Sequence, residues 1–232
     1  KRANYRIEEV CTPEALINNR AKVIEFYNLR RKESLTKKPN EGHIAIAEME
    51  EWADVCVITQ NVDNLHEQAG STRVVHLHGE LMKLRSEKNP ELIYDINEGW
   101  EQSLDERGED GALLRPHIVF FGEDVPMFEL ASRIVEHADI LIVVGTSLAV
   151  YPASYLVQYF RGKYLVLINK LSQEAPFNNA LFAEYTSAQF STDHISKLCL
   201  EANGLSNELA AKFFVYCIFS CKTGCISILD GL

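Results

Sequence analysis

Four short apolar runs, rich in β-branched and other aliphatic residues, constrain the fold of this chain more than any other feature. They cover residues 55–59, 118–121, 140–144 and 164–168. Each run has the length and composition of a buried strand. Stretches with helical spacing lie before the first run and on either side of the third. Strands that alternate with helices predict an α/β protein whose parallel sheet is covered by helices on both faces.

The residues that directly follow these runs are the first candidates for a binding site, because parallel sheets bind ligands beyond the carboxyl ends of their strands. They are Gln60, Asn61, Val62 and Asp63 after the first run, Gly145, Thr146 and Ser147 after the third, and Asn169 and Lys170 after the fourth. Amide, carboxylate and hydroxyl groups can hydrogen-bond a sugar or a carboxamide. The residues alone leave an alternative open, in which Asn61 and Asp63 simply form a polar loop that caps the next helix.

A histidine pair comes shortly after the first candidate loop, in the sequence His76-Leu77-His78-Gly79. A histidine next to glycine at the end of an apolar stretch is well placed to act as an exposed general base. A histidine in this position is also often an ordinary core or surface residue. The pattern by itself does not decide which histidine of the pair has a chemical role.

Five motifs in series resemble the signatures of the sirtuin family in order and spacing. They are TQNVDNLHEQAGS (59–71), HLHGEL (76–81), RPHIVFFGE (115–123), GTSLAVYPAS (145–154) and LINK (167–170). Five ordered matches are far more specific than any one of them. The resemblance implies an α/β fold with a Rossmann-like parallel sheet, helices on both faces and a small helical module. It also implies an NAD-dependent protein lysine deacylase that forms nicotinamide and O-acyl-ADP-ribose.

The resemblance also assigns expected roles to individual residues. His78 is expected to be the general base on a ribose hydroxyl, and Gln60, Asn61, Val62 and Asp63 are expected to hold the ribose and the carboxamide of NAD. Gly145, Thr146 and Ser147 would contact phosphates or ribose, and Asn169 and Lys170 the adenosine ribose. An acylated lysine peptide would add as a strand at two segments, which comprise Val119, Phe120, Phe121, Gly122 and Glu123 on one side and Val150 and Tyr151 on the other.

Acyl preference is expected to depend on Tyr27 and Arg30, which lie three residues apart on a predicted helix and therefore share a face. A guanidinium binds a carboxylate through two hydrogen bonds, and a phenol can add a third. The pair is similar to the one with which sirtuins active on succinyl- and malonyl-lysine bind the acyl group. The alternative is a solvated basic helix face, since residues 30–32 are Arg-Arg-Lys.

The chain departs from the sirtuin pattern at three places. Sirtuins open with a strand and a glycine-rich loop, whereas this sequence contains no Gly-x-Gly, which predicts a sheet that lacks its first, central strand. A truncated module that binds NAD or peptide without turnover is therefore the alternative function. Residues 80–114 contain no cysteine, which predicts no zinc and a module held together by packing of apolar side chains. These side chains are Leu92, Ile93, Tyr94, Trp100 and Leu104.

Charge and domain boundaries complete the predictions. The formal net charge of −10 argues against direct nucleic acid binding, which requires clustered basic residues. Half of the six cysteines lie in the last sixteen residues, so no framework of paired spacings runs through the chain. This distribution and the polar start favour a cytoplasmic protein without membrane contact. We predict a Rossmann-like domain from residues 43–78 and 115–202, with a small module from 1–42 and an insertion at 79–114. The apolar tail at 203–232 is atypical of the family, and three roles remain open for it: cover of a core surface, association, or an altered reading frame.

Overall fold

The computed structural model describes residues 5–96, 98–144, 151–162, 164–169, 180–184 and 212–217. For residues 167, 169, 180–184 and 212–217 only the backbone is described. The α-helices are α1 (Ile7–Val10), α2 (Pro13–Asn18), α3 (Arg20–Ser34), α4 (Glu41–Glu48), α5 (Leu65–Ala69) and α6 (Phe128–Glu136). Two 3-10 helices cover Met49–Glu51 and Ala153–Tyr159. The strands are β1 (Asp54–Thr59), β2 (Val74–His76), β3 (Gly79–Ser86), β4 (Ile93–Asp95), β5 (Leu114–Ile118), β6 (Ile140–Val144), β7 (Tyr164–Asn169), β8 (Ala180–Glu184) and β9 (Lys212–Cys217).

The main sheet has six strands in the order β2-β1-β9-β6-β7-β8, and every neighbouring pair is parallel. Alternate residues of its strands enter two different apolar clusters. Val55 and Val57 of β1 pack with α4 and α5 on one face, whereas Cys56 and Ile58 pack with α6 and the second 3-10 helix on the other. Because successive side chains of a strand point to opposite faces, this alternation buries both sides of the sheet. The predicted Rossmann-like α/β fold is confirmed.

The centre of the sheet differs from the prediction. The position between β1 and β6, expected to be empty, is filled by β9 from the apolar tail. Six residues of β9 are in register with β1, and five are in register with β6. Parallel strands in the middle of a sheet covered by helices are typically continuous apolar runs, and the sequence of β9 after Lys212 has this composition.

The second predicted strand, at 118–121, was also assigned wrongly. β5 ends at Ile118 and pairs antiparallel with β3 in a separate three-stranded sheet of order β4-β3-β5. The apolar side chains of Ile118 and Phe120 instead fill the core of the small module, together with Phe26 and Tyr27 of α3. A short apolar run shows that a segment is buried, but not which core it enters.

The small module therefore combines the expected helices with an antiparallel sheet that the prediction did not include. Of the five apolar side chains predicted to hold the insertion together, Ile93 is 45% and Leu104 is 50% exposed, whereas Leu92, Tyr94 and Trp100 are half-buried. Polar contacts also hold the insertion: Ser86 Oγ donates to Asp110 Oδ2 at 2.6 Å, and Gln102 Nε2 donates to the Leu114 carbonyl at 2.7 Å.

Arg31 is the buried polar residue that ties α3 to this sheet. Its side chain is fully buried and donates from Nε to the Leu81 carbonyl at 2.8 Å and from Nη1 to Asn28 Oδ1 at 2.8 Å. Burial lowers the pKa of Arg31 to about 10, so the guanidinium remains charged at neutral pH. The solvated basic face considered for residues 30–32 therefore does not apply to Arg31.

Two findings concern only the part of the chain that the structure describes. Within it, no group of three or more histidine, cysteine or acidic side chains is arranged to hold a metal ion. None of its helices is long and apolar enough to cross a membrane.

Candidate functional site

The loop at the carboxyl end of β1 is the centre of the candidate site. The Asn61 amide N–H donates to Thr59 Oγ1 at 3.0 Å, which turns the chain sharply as it leaves the strand. Asp63 Oδ1 accepts from the amide of Leu65, the first residue of α5, at 3.1 Å, in a local turn that leads into the helix. The N-cap residue of α5 is Asn64, and its side chain does not cap the helix.

Asn61 has an unusual environment for an amide side chain. The residue is 0% exposed, yet neither Nδ2 nor Oδ1 has a hydrogen-bond partner among the described residues. A buried polar group without a partner costs roughly 1–3 kcal/mol, so natural proteins rarely leave both atoms of an amide in this state. The arrangement fits a ligand that offers both a donor and an acceptor, as a carboxamide or a ribose hydroxyl does.

His78 lies beside this loop because backbone bonds hold its neighbours there. The Leu77 amide donates to the Thr59 carbonyl at 2.9 Å, and the Leu81 amide donates to the Val62 carbonyl at 2.7 Å. The half-buried ring of His78 itself hydrogen-bonds with the backbone of Gln60. The structure therefore brings the histidine and the candidate loop together, as the motifs predicted.

The protonation state of His78 suits a base. Burial lowers the pKa of His78 below its usual value, and the bond with the Gln60 backbone opposes this shift only in part. At neutral pH the ring is therefore uncharged. A neutral imidazole that donates through one nitrogen has an acceptor nitrogen on its other side, and a general base requires such an acceptor.

His76, the other member of the pair, is buried in a different contact. Its Nδ1 lies 3.1 Å from the Asn61 carbonyl oxygen, and its Nε2 lies 2.8 Å from Glu67 Oε1. Burial alone would lower the pKa of His76, but the hydrogen bond and charge of Glu67 and the Asn61 carbonyl outweigh it and raise the pKa. No pattern in the sequence indicates the hydrogen bond between His76 and Glu67, which lie nine residues apart.

Residues 119–123 form a turn on the other side of His78. The Val119 amide donates to the His78 carbonyl at 2.9 Å, and the Phe121 amide donates to the Cys11 carbonyl at 3.0 Å. The carboxylate of Glu123 accepts from the Phe120 amide at 2.7 Å and from Arg85 and Arg115 at 3.1 Å each. Its side chain therefore braces the turn from inside, whereas Phe121 and Gly122 are exposed.

Tyr27 of α3 packs against this turn, and Arg30 lies three residues further along the same helix. Tyr27 is buried, stacks on Phe120 at 5.9 Å between ring centroids, and donates from its hydroxyl to Cys11 Sγ at 3.3 Å. Arg30 is half-buried, and its guanidinium lies 5.9 Å from the ring centroid of Phe26. The positive charge of Arg30 acts on the Tyr27 hydroxyl, so the two side chains are close enough to interact.

Several predicted site residues lie outside the described part. They are Gly145, Thr146, Ser147, Val150 and Lys170, together with the side chain of Asn169, whose backbone ends β7. Of that side of the site the structure describes Tyr151, which is 75% exposed and meets Tyr155 edge to face at 5.3 Å.

Comparison with known sequences identifies relatives along most of the chain. A family model described as the Sir2 family matches residues 3–152. A Bacteroides thetaiotaomicron protein named NAD-dependent protein deacylase is 44% identical, over 85% of this chain and 87% of the relative. A Vibrio cholerae protein of the same name is 36% identical, over 90% of this chain and 87% of the relative.

Solved structures give the same result. A crystal structure of a Sir2 homologue in complex with NAD superimposes with a TM-score of 0.73 at 33% identity, covering 86% of this chain and 80% of that one. A structure of Sir2 bound to an acetylated peptide has a TM-score of 0.64 at 30% identity, covering 84% and 83%. The chain belongs to the Sir2 family, the sirtuins.

Proposed function

We propose that this chain is an NAD-dependent protein lysine deacylase. The observation that carries the proposal is the buried amide of Asn61, which has no protein partner within the described residues and lies in the loop beside a neutral, half-buried His78. The names of the relatives, NAD-dependent protein deacylase, support the same activity. So does the position of the loop at the carboxyl end of a parallel strand.

Each described residue has a role that follows from its environment. Asn61 binds the carboxamide or a ribose hydroxyl of NAD, and Gln60, Val62 and Asp63 shape the pocket around it. His78 accepts a proton from a ribose hydroxyl. NAD, when bound, would supply a ribose carbon whose bond to nicotinamide breaks as the acyl oxygen of the modified lysine adds to it. The peptide lies along the exposed Phe121 and Gly122, opposite Tyr151.

The activity is tested by incubating the purified chain with NAD and acyl-lysine peptides. We expect nicotinamide and unmodified lysine peptide to appear in equal amounts, and O-acyl-ADP-ribose to be detected by mass spectrometry. Omitting NAD should abolish both products, and replacing the acyl peptide with the unmodified peptide should abolish the release of nicotinamide. Calorimetric binding of NAD without any turnover would instead identify the chain as a binding module and exclude the enzyme.

We further propose that acidic acyl groups are preferred, because Arg30 lies close enough to Tyr27 on α3 for its positive charge to act on the Tyr27 hydroxyl. A carboxylate of a succinyl or malonyl group would form charge-assisted hydrogen bonds with the guanidinium, each worth about 1.5–3 kcal/mol. A neutral acetyl group offers Arg30 no such partner. The preference therefore depends on this one side chain.

Replacing Arg30 with methionine tests this preference. We expect kcat/KM for a succinyl-lysine peptide to fall about 10- to 100-fold, which corresponds to the loss of one charge-assisted hydrogen bond. The value for the matching acetyl-lysine peptide should change less than about threefold, since its binding does not use the charge. The control is Lys32→Met, which removes a positive charge from the same helix at a side chain that lies over Trp100 instead. Equal losses of kcat/KM for the two peptides would show that Arg30 does not select acidic acyl groups.

A further inference from the structure

Two paired strand residues clamp the backbone of Asn61 from both sides. Thr59 of β1 and His76 of β2 are register partners at the carboxyl edge of the sheet. Thr59 Oγ1 accepts from the Asn61 amide at 3.0 Å, and His76 Nδ1 lies 3.1 Å from the Asn61 carbonyl oxygen. The backbone N–H and the backbone carbonyl of Asn61 are therefore both bound by residues of the sheet, whereas the side-chain amide of Asn61 has no partner among the described residues.

The second nitrogen of His76 is also engaged. Its Nε2 lies 2.8 Å from Glu67 Oε1, while the imidazole is only 6% exposed. A carbonyl oxygen and an ionised carboxylate can only accept hydrogen bonds. Both ring nitrogens must therefore carry protons for both contacts to form, which makes His76 a buried imidazolium paired with Glu67.

We propose that His76 and Glu67 form a positioning pair that holds the Asn61 amide in the orientation that binds NAD. In this proposal His76 does not contact the cofactor, and it acts through its hydrogen bond to the Asn61 carbonyl. The inference rests on the proposed function, because the ligand of Asn61 is NAD in that proposal. It goes beyond that proposal by adding a second histidine, with the opposite charge state from His78.

The charges around His76 decide which protonation state it adopts. Glu67 of α5 bonds to it directly, and Glu80 of β3 adds a more distant negative charge. His66 of α5 is also close enough to interact with His76. Burial is the main cause that lowers the pKa of His66, and the positive charge of His76 lowers it further. The ring of His66 in turn packs on His43 at 4.7 Å between centroids. His66 therefore stays neutral while His76 carries the charge.

The sign of the pH effect follows from the two acceptors. Below the raised pKa of His76, the imidazolium donates to both Asn61 and Glu67. Above it, one proton leaves, and the remaining proton stays with the ionised carboxylate as the stronger acceptor. The Asn61 carbonyl oxygen then faces the lone pair of His76 Nδ1, so the hydrogen bond that holds the loop is lost. NAD binding should weaken as pH rises through this pKa, whereas the state of His78 does not change in that range.

His76→Leu removes both hydrogen bonds with an apolar side chain of similar size. The Kd for NAD and the KM for NAD should rise about tenfold, because the loop that carries Asn61 loses about one hydrogen bond that orders it. The kcat at saturating NAD should fall less than about threefold, because His78 remains in place. Thermal unfolding of each variant shows whether it is folded at the assay temperature. An unchanged KM with a reduced kcat would overturn the positioning role.

Glu67→Gln keeps the shape of the pair and removes its charge, so the fold is not expected to suffer. Its matched control is Glu80→Gln, which also removes one negative charge near His76. Glu80 does not hydrogen-bond to His76, because its carboxylate pairs with Lys83 at 3.0 Å. We expect the rise in NAD Kd with pH to move to lower pH by about one unit in Glu67→Gln, and by much less in Glu80→Gln. Equal displacements in the two variants would overturn the specific pairing.

An arm without NAD separates this inference from the proposed function. Amide hydrogen exchange at Leu81, whose N–H donates to the Val62 carbonyl at 2.7 Å, reports the order of the loop in the free chain. We expect faster exchange there in His76→Leu and unchanged exchange in Glu80→Gln. If exchange at Leu81 is unchanged in His76→Leu, the inference is overturned whatever NAD does. If the wild type neither binds nor consumes NAD, the proposed function is overturned instead.

Discussion

Replacing His78 with asparagine is expected to reduce deacylase turnover about 10²- to 10⁴-fold, the usual effect of removing a general base. Asparagine can keep a hydrogen bond with the Gln60 backbone, but it has no nitrogen basic enough to accept a proton at neutral pH. The Kd for NAD, measured by calorimetry, should change less than about threefold, because Asn61 and its clamp are untouched. A loss confined to kcat would separate a chemical role from a binding role.

The pH dependence of the wild type provides an independent check of the same role. The base must be neutral, and burial lowers the pKa of His78 below 6.5. On the acidic side, the pH at which kcat/KM for the acyl peptide has fallen to half of its plateau should therefore lie below 6.5. A half-maximal pH above 6.5 would assign this loss of activity to another group. A His78→Asn variant with turnover close to wild type would contradict the proposed mechanism outright.

The strands and the main site could be read from the sequence because both depend on local patterns. The runs that became β1, β6 and β7 are short and β-branched, and no helix of that length would bury so continuous an apolar segment. Asn61 and His78 follow strand ends, where parallel sheets place ligand-binding residues. The motif resemblance then separated His78 from His76, which the residues alone could not do.

Long-range pairings could not be read in the same way. Arg31 stands in a run of three basic residues, and charged residues are almost always exposed, yet it is buried by carbonyl and amide acceptors on Asn28 and Leu81. The contact of His76 with Glu67 joins a strand to a helix on another segment. Such contacts depend on where the fold brings distant residues together, and no spacing rule in a single sequence encodes that.

The central strand is the largest feature that sequence reasoning missed. β9 lies more than 150 residues from β1 along the chain, so its pairing has no local signature. The tail was recognised as unusually apolar, but a run of this kind is compatible with a buried strand, a helix or an interface. Only the register with two neighbours, Val215 opposite Val57 and Ile142, shows that it completes the sheet.

Replacing Val215 with proline should therefore unfold the protein or lower its unfolding free energy by at least about 3 kcal/mol. Proline has no N–H, and its ring obstructs pairing in the middle of a strand that has neighbours on both sides. Buried partners left without a bond cost about 1–3 kcal/mol each, against a total stability of roughly 5–15 kcal/mol. Thermal and denaturant unfolding, followed by circular dichroism, would measure the loss.

Two matched variants distinguish lost pairing from other effects of the change. Val215→Ala removes two methyl groups but keeps the N–H, so it should cost about half as much as proline or less. Lys212→Pro puts the same ring at the first residue of β9, where strands tolerate proline, and should cost about 1 kcal/mol or less. If proline at 215 were no more harmful than proline at 212, the tail would not be the central strand. Because β9 lies between β1 and β6, such a result would mean that another segment holds β1, and the Asn61 loop that follows it, in place.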